Sequence, residues 1–265
     1  MSNPMTTVCL HAKAEIEAFL RRNIYLHLYE IGDLDDFFWP YTIWYALKDR
    51  DRISQIVLLY TGASPPVLLG FTEESIDQMA ALLRSIIPLL PKRFLAHLSM
   101  NLAAVFADDY QVHSHGTFHK MALTRPSCLE GVDTSAVVSM AVSDVDDLQR
   151  LYRASYPGNW FDPRMIETGY FYGVRQGTDL VSVAGVHVYS AHYRVAALGS
   201  ITTHPSHRRQ GMAAAVCAKL CQSLKESVEH IGLNVEADNE SAIGCYEGLG
   251  FERVAVYGEY ALKLK

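Results

Sequence analysis

The sequence predicts a mixed α/β protein with two similarly built halves. Strand-like and helix-like runs alternate along the chain, and their order is similar on both sides of a turn-rich segment at 124–134. With 265 residues, of which 49% are apolar and 20% charged, the chain is long enough to bury two cores. We therefore expect two domains, at residues 1–126 and 127–265.

The first half is expected to begin with a helix and to continue with three strands, a long helix and two further strands. Apolar runs bounded by turn residues predict strands at 42–48, 53–61, 67–71, 94–99 and 112–123. Helical periodicity occurs at 12–22, at 73–90 and, as a short piece, at 102–108. The second half repeats this order of elements without a repeat of individual residues.

In the second half, strands are predicted at 139–142, 170–175, 180–190, 194–203, 233–237 and 251–264. Helices are predicted at 144–154, from Pro163 onward, at 211–230 and at 239–247. In the third of these, Met212, Val216, Leu220, Leu224 and Val228 recur every four positions. That spacing predicts an amphipathic helix of about five turns.

Composition excludes several classes of protein. The formal charge is −6 and the basic residues are scattered, which disfavours a nucleic-acid partner. Apolar runs fall short of the ~20 residues of a membrane helix, and the first ten residues do not resemble a signal peptide, so we expect a cytoplasmic protein. The five cysteines match neither a disulfide framework nor a zinc pattern and are interpreted as reduced thiols.

A loop with two arginines precedes the longest helix. It joins a predicted strand to the helix and reads Arg208, Arg209, Gln210, Gly211, Met212, Ala213. The first turn of a helix carries unpaired N–H groups and the positive end of the helix dipole, so this position suits a pyrophosphate. Gly211 allows close approach. An ordinary basic helix start is the alternative. Walker and dinucleotide fingerprints are missing, which argues against nucleotide hydrolysis and hydride transfer.

A second motif follows on the predicted helix 239–247, where Asn239, Ala242 and Tyr246 lie along one side. Together with the loop, and with Gly199 to Pro205 in the central strand, this pattern resembles the GNAT superfamily of acyl-CoA N-acyltransferases. The phosphate loop of that family reads Arg/Gln-x-x-Gly-x-Gly/Ala. The resemblance covers about half of the chain. Its two-part plan is also similar to that of glycine N-acyltransferase-like and other tandem GNAT proteins.

The resemblance implies two GNAT-like domains with a degenerate first one, and acetyl-CoA or another short acyl-CoA as cosubstrate. The backbone of Ile201, Thr202 and Thr203 would contact the acyl carbonyl and the pantetheine arm. The loop residues Arg208, Arg209, Gln210, Gly211, Met212 and Ala213 would hold the pyrophosphate. Asn239 and Ala242 would contact the pantetheine, and Tyr246 would protonate the departing thiolate. No metal ion is expected.

The base that deprotonates the attacking amine is harder to assign. Many members of the family place a glutamate on the central strand, whereas this chain has Leu198-Gly199-Ser200-Ile201 there. Glu236 is our candidate base, with His187 and His204 as alternatives. Each is also explained as a solvated or structural residue.

The first half contains two further groups of titratable residues that could form a binding site. His113, His115 and His119 share one face of a predicted strand, which we interpret as a strand or cleft surface because no further metal ligand is evident. Glu73 and Glu74 stand where the second half has its arginines, and their carboxylates would repel a phosphate. Only the second half is therefore expected to bind the cosubstrate.

The resulting hypothesis is an N-acyltransferase, most simply an N-acetyltransferase, that transfers an acyl group directly to a small-molecule amine. The alternative is a catalytically silent acyl-CoA-binding regulatory protein, because the strand glutamate is missing. An aminoacyl-tRNA-dependent transferase is a further alternative, which the acidic composition and the intact loop disfavour. The acceptor remains open, as does the choice between monomer and homodimer.

Overall fold

The computed structural model describes residues 5–159 and 161–265. It contains twelve strands and six α-helices within those residues. In order, the elements of the first part are β1 (Thr6–Leu10), α1 (Lys13–Leu20), α2 (Leu28–Gly32), β2 (Thr42–Asp49), β3 (Arg52–Tyr60), β4 (Val67–Gly70), α3 (Ile76–Ile86), β5 (Arg93–Ser99) and β6 (Tyr110–Leu123). The mixed α/β class predicted from the sequence is confirmed.

The later elements are β7 (Val137–Ser139), α4 (Val145–Ser155), β8 (Tyr172–Gln176), β9 (Asp179–Ser190), β10 (Val195–Thr203), α5 (Met212–Leu224), β11 (His230–Glu236), α6 (Glu240–Gly248) and β12 (Phe251–Leu264). A 3-10 helix at Pro163–Thr168 takes the place of the helix predicted from Pro163. The helix predicted at 211–230 ends at Leu224. Beyond Leu224 the chain turns to enter β11. At the start of β11, the N–H groups of Glu229 and His230 donate to the carbonyl of Arg194, the residue before β10, and a longer helix would not allow these bonds.

The chain divides into two compact units, Met1–Lys120 with Val254–Lys265, and Met121–Arg253. These units differ from the expected domains, 1–126 and 127–265, because the division falls after Lys120 and because residues 254–265 join the first unit. The final residues belong to the first unit because β12 pairs antiparallel with β5, from Tyr257 opposite Ser99 to Lys263 opposite Arg93. Leu262, which is 3% exposed, joins the hydrophobic core of that unit.

The first unit is a mixed sheet in the strand order β1-β2-β3-β4-β5-β12-β6. Strands β4 and β5 pair in parallel, and α3 buries Met79, Leu82, Leu83 and Ile86 in the core beside that sheet. The N–H of Thr72 donates to Ser99 Oγ at 2.9 Å, and the Ser99 hydroxyl donates to the Thr72 carbonyl at 3.1 Å. These bonds continue the connection between the two strands beyond the last ladder pair, Gly70 with Leu98.

In the second unit the strand order is β11-β10-β9-β8-β7. Strands β10 and β11 are parallel, and the other pairs are antiparallel. Helix α4 packs on β9 and β10 through Leu148, Leu151 and Tyr152, and α5 buries Val216, Leu220 and Leu224. No helix in the described part of the chain is long and apolar enough to cross a membrane.

Candidate active site

The parallel pair β10 and β11 of the second unit comes apart partway along its length. β10 pairs with β11 from Val195 opposite His230 to Leu198 opposite Leu233, and the ladder ends there. Both strands continue, β10 to Thr203 and β11 to Glu236. A strand edge that leaves its partner presents backbone donors and acceptors that an extended ligand can pair with. The stretch predicted to contact the cosubstrate, Ile201 to Thr203, lies on this edge.

A bulge at Ser200 starts the separation. The register between β9 and β10 shifts between Gly199 and Thr202, and Ser200 has a φ of +52°, in the left-handed region. A serine in this conformation costs free energy unless its surroundings hold it. The Tyr152 hydroxyl of α4 donates to the Ser200 carbonyl at 3.1 Å, and both residues are buried. Burial also raises the pKa of Tyr152, so its hydroxyl remains a donor across the physiological range.

The Ser200 side chain is held by two further residues. Asn159 Nδ2 lies 3.3 Å from Ser200 Oγ, and His187 Nε2 of β9 lies 3.2 Å from it. The imidazole lies across Gly199, where a Cβ atom would come within 2.2 Å of the ring, so only glycine leaves room for it. Removal of the ring from water lowers the pKa of His187 to about 4. The imidazole is therefore neutral at physiological pH.

The predicted phosphate loop follows β10 directly. Arg209 has a φ of +65°, and Gly211, the N-cap of α5, has a φ of +77° with open space around its Cα. Such left-handed residues turn successive N–H groups toward one concave point, which favours anions. Arg208 Nε donates to the Thr203 carbonyl at 3.2 Å, which connects the loop to the end of β10. No acidic residue lies in the first turn of α5.

The second motif forms α6 and its start, as the sequence predicts. Asn239 is the N-cap, because its Oδ1 accepts a hydrogen bond from the Ala242 N–H at 3.2 Å. Tyr246 is buried, and its ring lies 6.1 Å from that of Phe251. The side-chain oxygen of Asn239 therefore stabilises the helix, which leaves its Nδ2 as the group for a ligand.

The candidate bases occupy different environments. Glu236 is exposed and is the last residue of β11. The ring of His204 lies 5.7 Å from that of His207 in the turn before the loop, and its Nδ1 contacts Ser206 Oγ at 2.7 Å. Of these three candidate bases, only His187 contacts the bulge, through Ser200. Sequence reasoning named His187 but missed Tyr152, Asn159 and Ser200, because a left-handed serine has no sequence signature.

Within residues 5–159 and 161–265, no group of three or more His, Cys, Asp or Glu side chains is arranged to hold a metal ion. His113 and His115 are exposed on β6 with ring centroids 5.6 Å apart. In the first unit, the position that corresponds to the loop has Ser75 as the cap of α3, with its Oγ accepting from the Gln78 N–H at 3.3 Å.

These features define an α/β protein whose parallel strand pair opens beside a helix N-terminus suited to a phosphate. Residues 144–251 match the family model described as the acetyltransferase (GNAT) family. This part of the chain is therefore a GNAT domain, as the motifs predicted. No curated protein matches the chain in sequence.

Several solved structures have a fold similar to that of this chain. A Drosophila protein is similar over 98% of both chains with a TM-score of 0.70 and 9% identity. A protein from Novosphingobium aromaticivorans, described as of the GNAT family, shares 21% identity over 79% of this chain and 88% of its own, with a TM-score of 0.58. A tandem GNAT protein from the clavulanic acid biosynthesis pathway aligns over 97% of this chain and 98% of its own, with 15% identity and a TM-score of 0.55.

Proposed function

We propose that the protein is an N-acyltransferase that transfers the acyl group of acetyl-CoA, or of another short acyl-CoA, to a small-molecule amine. The observation that carries the proposal is that the parallel pair β10 and β11 opens at Gly199 directly before a loop suited to a pyrophosphate. An extended pantetheine arm and a pyrophosphate need these two features next to each other.

The residues present fit such a cosubstrate. The N–H groups at the start of α5, with Arg208, Arg209 and Gln210 exposed beside them, are complementary to a pyrophosphate. Met212 and Ala213 supply backbone N–H groups of that first turn. The backbone of Ile201, Thr202 and Thr203 lies on the strand edge that has left β11 and can pair with the amides of the arm. Asn239 Nδ2 and the small side chain of Ala242 border the same ligand from α6.

Direct attack of an amine on a thioester requires a donor for the oxygen that becomes negative and a proton for the thiolate that leaves. A backbone N–H near Ile201 is the proposed oxyanion donor. Tyr246 is the proposed proton donor to sulfur. With reference pKa values of about 10 for tyrosine and 8.5 for a thiol, that transfer is uphill by about 2 kcal/mol in water, so Tyr246 assists the step rather than controlling it.

Product analysis with a panel of primary amines tests the proposal. Purified protein, acetyl-CoA and each amine are incubated, and both free thiol and N-acetylated product are quantified. The proposal requires equal amounts of the two products and a rate that depends on the amine. If acetyl-CoA binds but neither product forms with any amine, the silent regulatory alternative is correct. That alternative is motivated by Leu198, Gly199, Ser200 and Ile201, a stretch of β10 without a carboxylate.

A further inference from the structure

The hydrogen bonds around Ser200 have a defined direction. The Asn159 amide nitrogen can only donate, so at 3.3 Å it donates to Ser200 Oγ. The hydroxyl proton of Ser200 then has the Nε2 atom of His187, at 3.2 Å, as its acceptor. This arrangement requires the tautomer of His187 that is protonated on Nδ1. The depressed pKa keeps the imidazole neutral and able to accept this proton.

The Ser200 and His187 pair lies where the proposed reaction needs a base. Ser200 directly follows Gly199, the first residue of β10 beyond the ladder with β11, and directly precedes the stretch proposed to contact the acyl group. Glu236, by contrast, is exposed at the end of β11. A serine oriented by an amide and linked to a neutral imidazole is an arrangement that relays protons.

We infer that Ser200 and His187 form the proton path on the acceptor side of this reaction, an assignment that rests on the proposed function. The nitrogen of the amine bonds to the thioester carbon as its N–H bond breaks and its proton passes to Ser200 Oγ. The hydroxyl proton of Ser200 passes at the same time to His187 Nε2. The carbon–sulfur bond then breaks, and sulfur takes the proton of Tyr246. The imidazolium returns a proton to solvent, and Tyr246 regains one from solvent.

Two neighbouring residues have positioning roles in this path. Asn159 fixes the orientation of the serine hydroxyl, and Tyr152 holds the carbonyl of Ser200 so that the bulge persists. Negative charge on the thioester oxygen favours a nearby imidazolium, so the proton affinity of His187 rises as attack proceeds.

Three substitutions separate this role from a structural one. Ser200→Gly removes the hydroxyl but suits the left-handed φ, so the bulge and acyl-CoA affinity are retained while kcat falls about 10²-fold. Tyr152→Phe keeps the path but loosens the bulge, so KM for acetyl-CoA rises more than kcat falls. As a control, Glu226→Gln changes an exposed carboxylate outside the site and leaves both parameters near the wild-type values.

Chemical rescue supplies the readout that a structural role would not give. His187→Ala leaves space above Gly199 for an added imidazole. Activity of this variant, measured as thiol release with the best amine of the panel, is expected to rise in proportion to added imidazole, whereas Ser200→Gly does not respond. In intact-protein mass spectra with acetyl-CoA alone, Ser200 is expected to stay unmodified.

The outcomes are distinguishable. Wild-type turnover together with an unchanged kcat for Ser200→Gly overturns this assignment and leaves the proposed function intact. A large kcat loss in Glu236→Gln, or an acetylated Ser200, overturns it as well. Absence of wild-type turnover with every amine overturns the proposed function, and the assignment with it.

Discussion

Tyr246 is the proposed proton donor to the departing sulfur, and this role can be tested at a single hydroxyl group. We expect Tyr246→Phe to lower kcat by roughly 10- to 100-fold, because sulfur then leaves with its proton supplied by water. The affinity for acetyl-CoA should be unchanged, since the ring stays buried beside Phe251. Thiol release and equilibrium binding measure the two quantities.

Tyr189→Phe is the matched control for this experiment. Tyr189 lies on β9 of the same unit, and its hydroxyl donates to that of Tyr170 at 3.4 Å. It should keep wild-type kcat. Equal rates for Tyr246→Phe and the wild type at every pH tested would show that Tyr246 is not the acid.

Lys120 in the first unit is a buried ammonium with an unusual environment. It is 2% exposed, and its Nζ lacks a hydrogen-bond partner among the described residues. The nitrogen lies 3.9 Å from the centre of the Phe71 ring, with the rings of Tyr29 and Tyr257 at 5.3 and 5.4 Å. Burial lowers the pKa of Lys120, and nearby Glu30 and Glu259 only partly offset that effect.

We expect Lys120→Met to raise the free energy of unfolding at neutral pH, on the order of 1–3 kcal/mol, by removing an unsatisfied buried charge. The gain should shrink as pH rises. Because the pKa of Lys120 in the folded state lies below the unfolded value of 10.5, the folded wild type binds fewer protons than the unfolded chain between these two values, and its stability increases with pH across that window. Urea unfolding of both proteins from neutral to alkaline pH measures this, and a pH-independent difference would contradict the account.

At the scale of elements, the loop before α5 depends on the left-handed backbone of Gly211. Gly177, in the β8–β9 turn, has a φ of +60°, and at both glycines an added Cβ atom would have no heavy atom within 4 Å. Gly211→Ala and Gly177→Ala should therefore lose similar stability, about 1 kcal/mol each. Only Gly211→Ala should weaken acetyl-CoA binding, by about tenfold. Calorimetry and thermal melts test both. Equal binding by the two variants would show that the loop is not the phosphate site.

The starts of the helices that border the candidate site could be predicted from the sequence. Periodicity predicted a helix at 211–230, within one residue of the observed start of α5, and the Asn239 cap predicted the start of α6, because both signals are local. The bulge at Ser200 and the hydrogen bonds of Asn159 and Tyr152 were not predictable. They depend on contacts between residues as many as 48 positions apart, and on a serine in a glycine-like conformation.

At the scale of the whole molecule, the last strand was assigned to the second half from sequence order alone. The structure places Val254–Lys265 in the first unit. Removal of these residues should unfold that unit, because it deletes the partner of β5 and exposes the core around Leu262. Limited proteolysis should then cleave within 5–120 while residues 121–253 are cut more slowly. Unchanged protection of the first unit would contradict this.

The two units also differ in the features that the proposed cosubstrate site requires. In the second unit β10 and β11 separate, whereas in the first unit the Ser99 hydroxyl bridges Thr72 just beyond the paired strands. The acidic Glu73 and Glu74 add electrostatic repulsion toward a phosphate. We therefore expect one acyl-CoA per chain.

Calorimetric titration with acetyl-CoA tests whether the loop before α5 is the single cosubstrate site of the chain. We expect one site per chain in the wild type and loss of binding in Arg208→Glu/Arg209→Glu. The matched control, Lys92→Glu/Arg93→Glu, changes an adjacent exposed basic pair in the first unit by the same charge and should bind normally. Two sites per chain, or undiminished binding by the Arg208 and Arg209 double variant, would contradict this expectation.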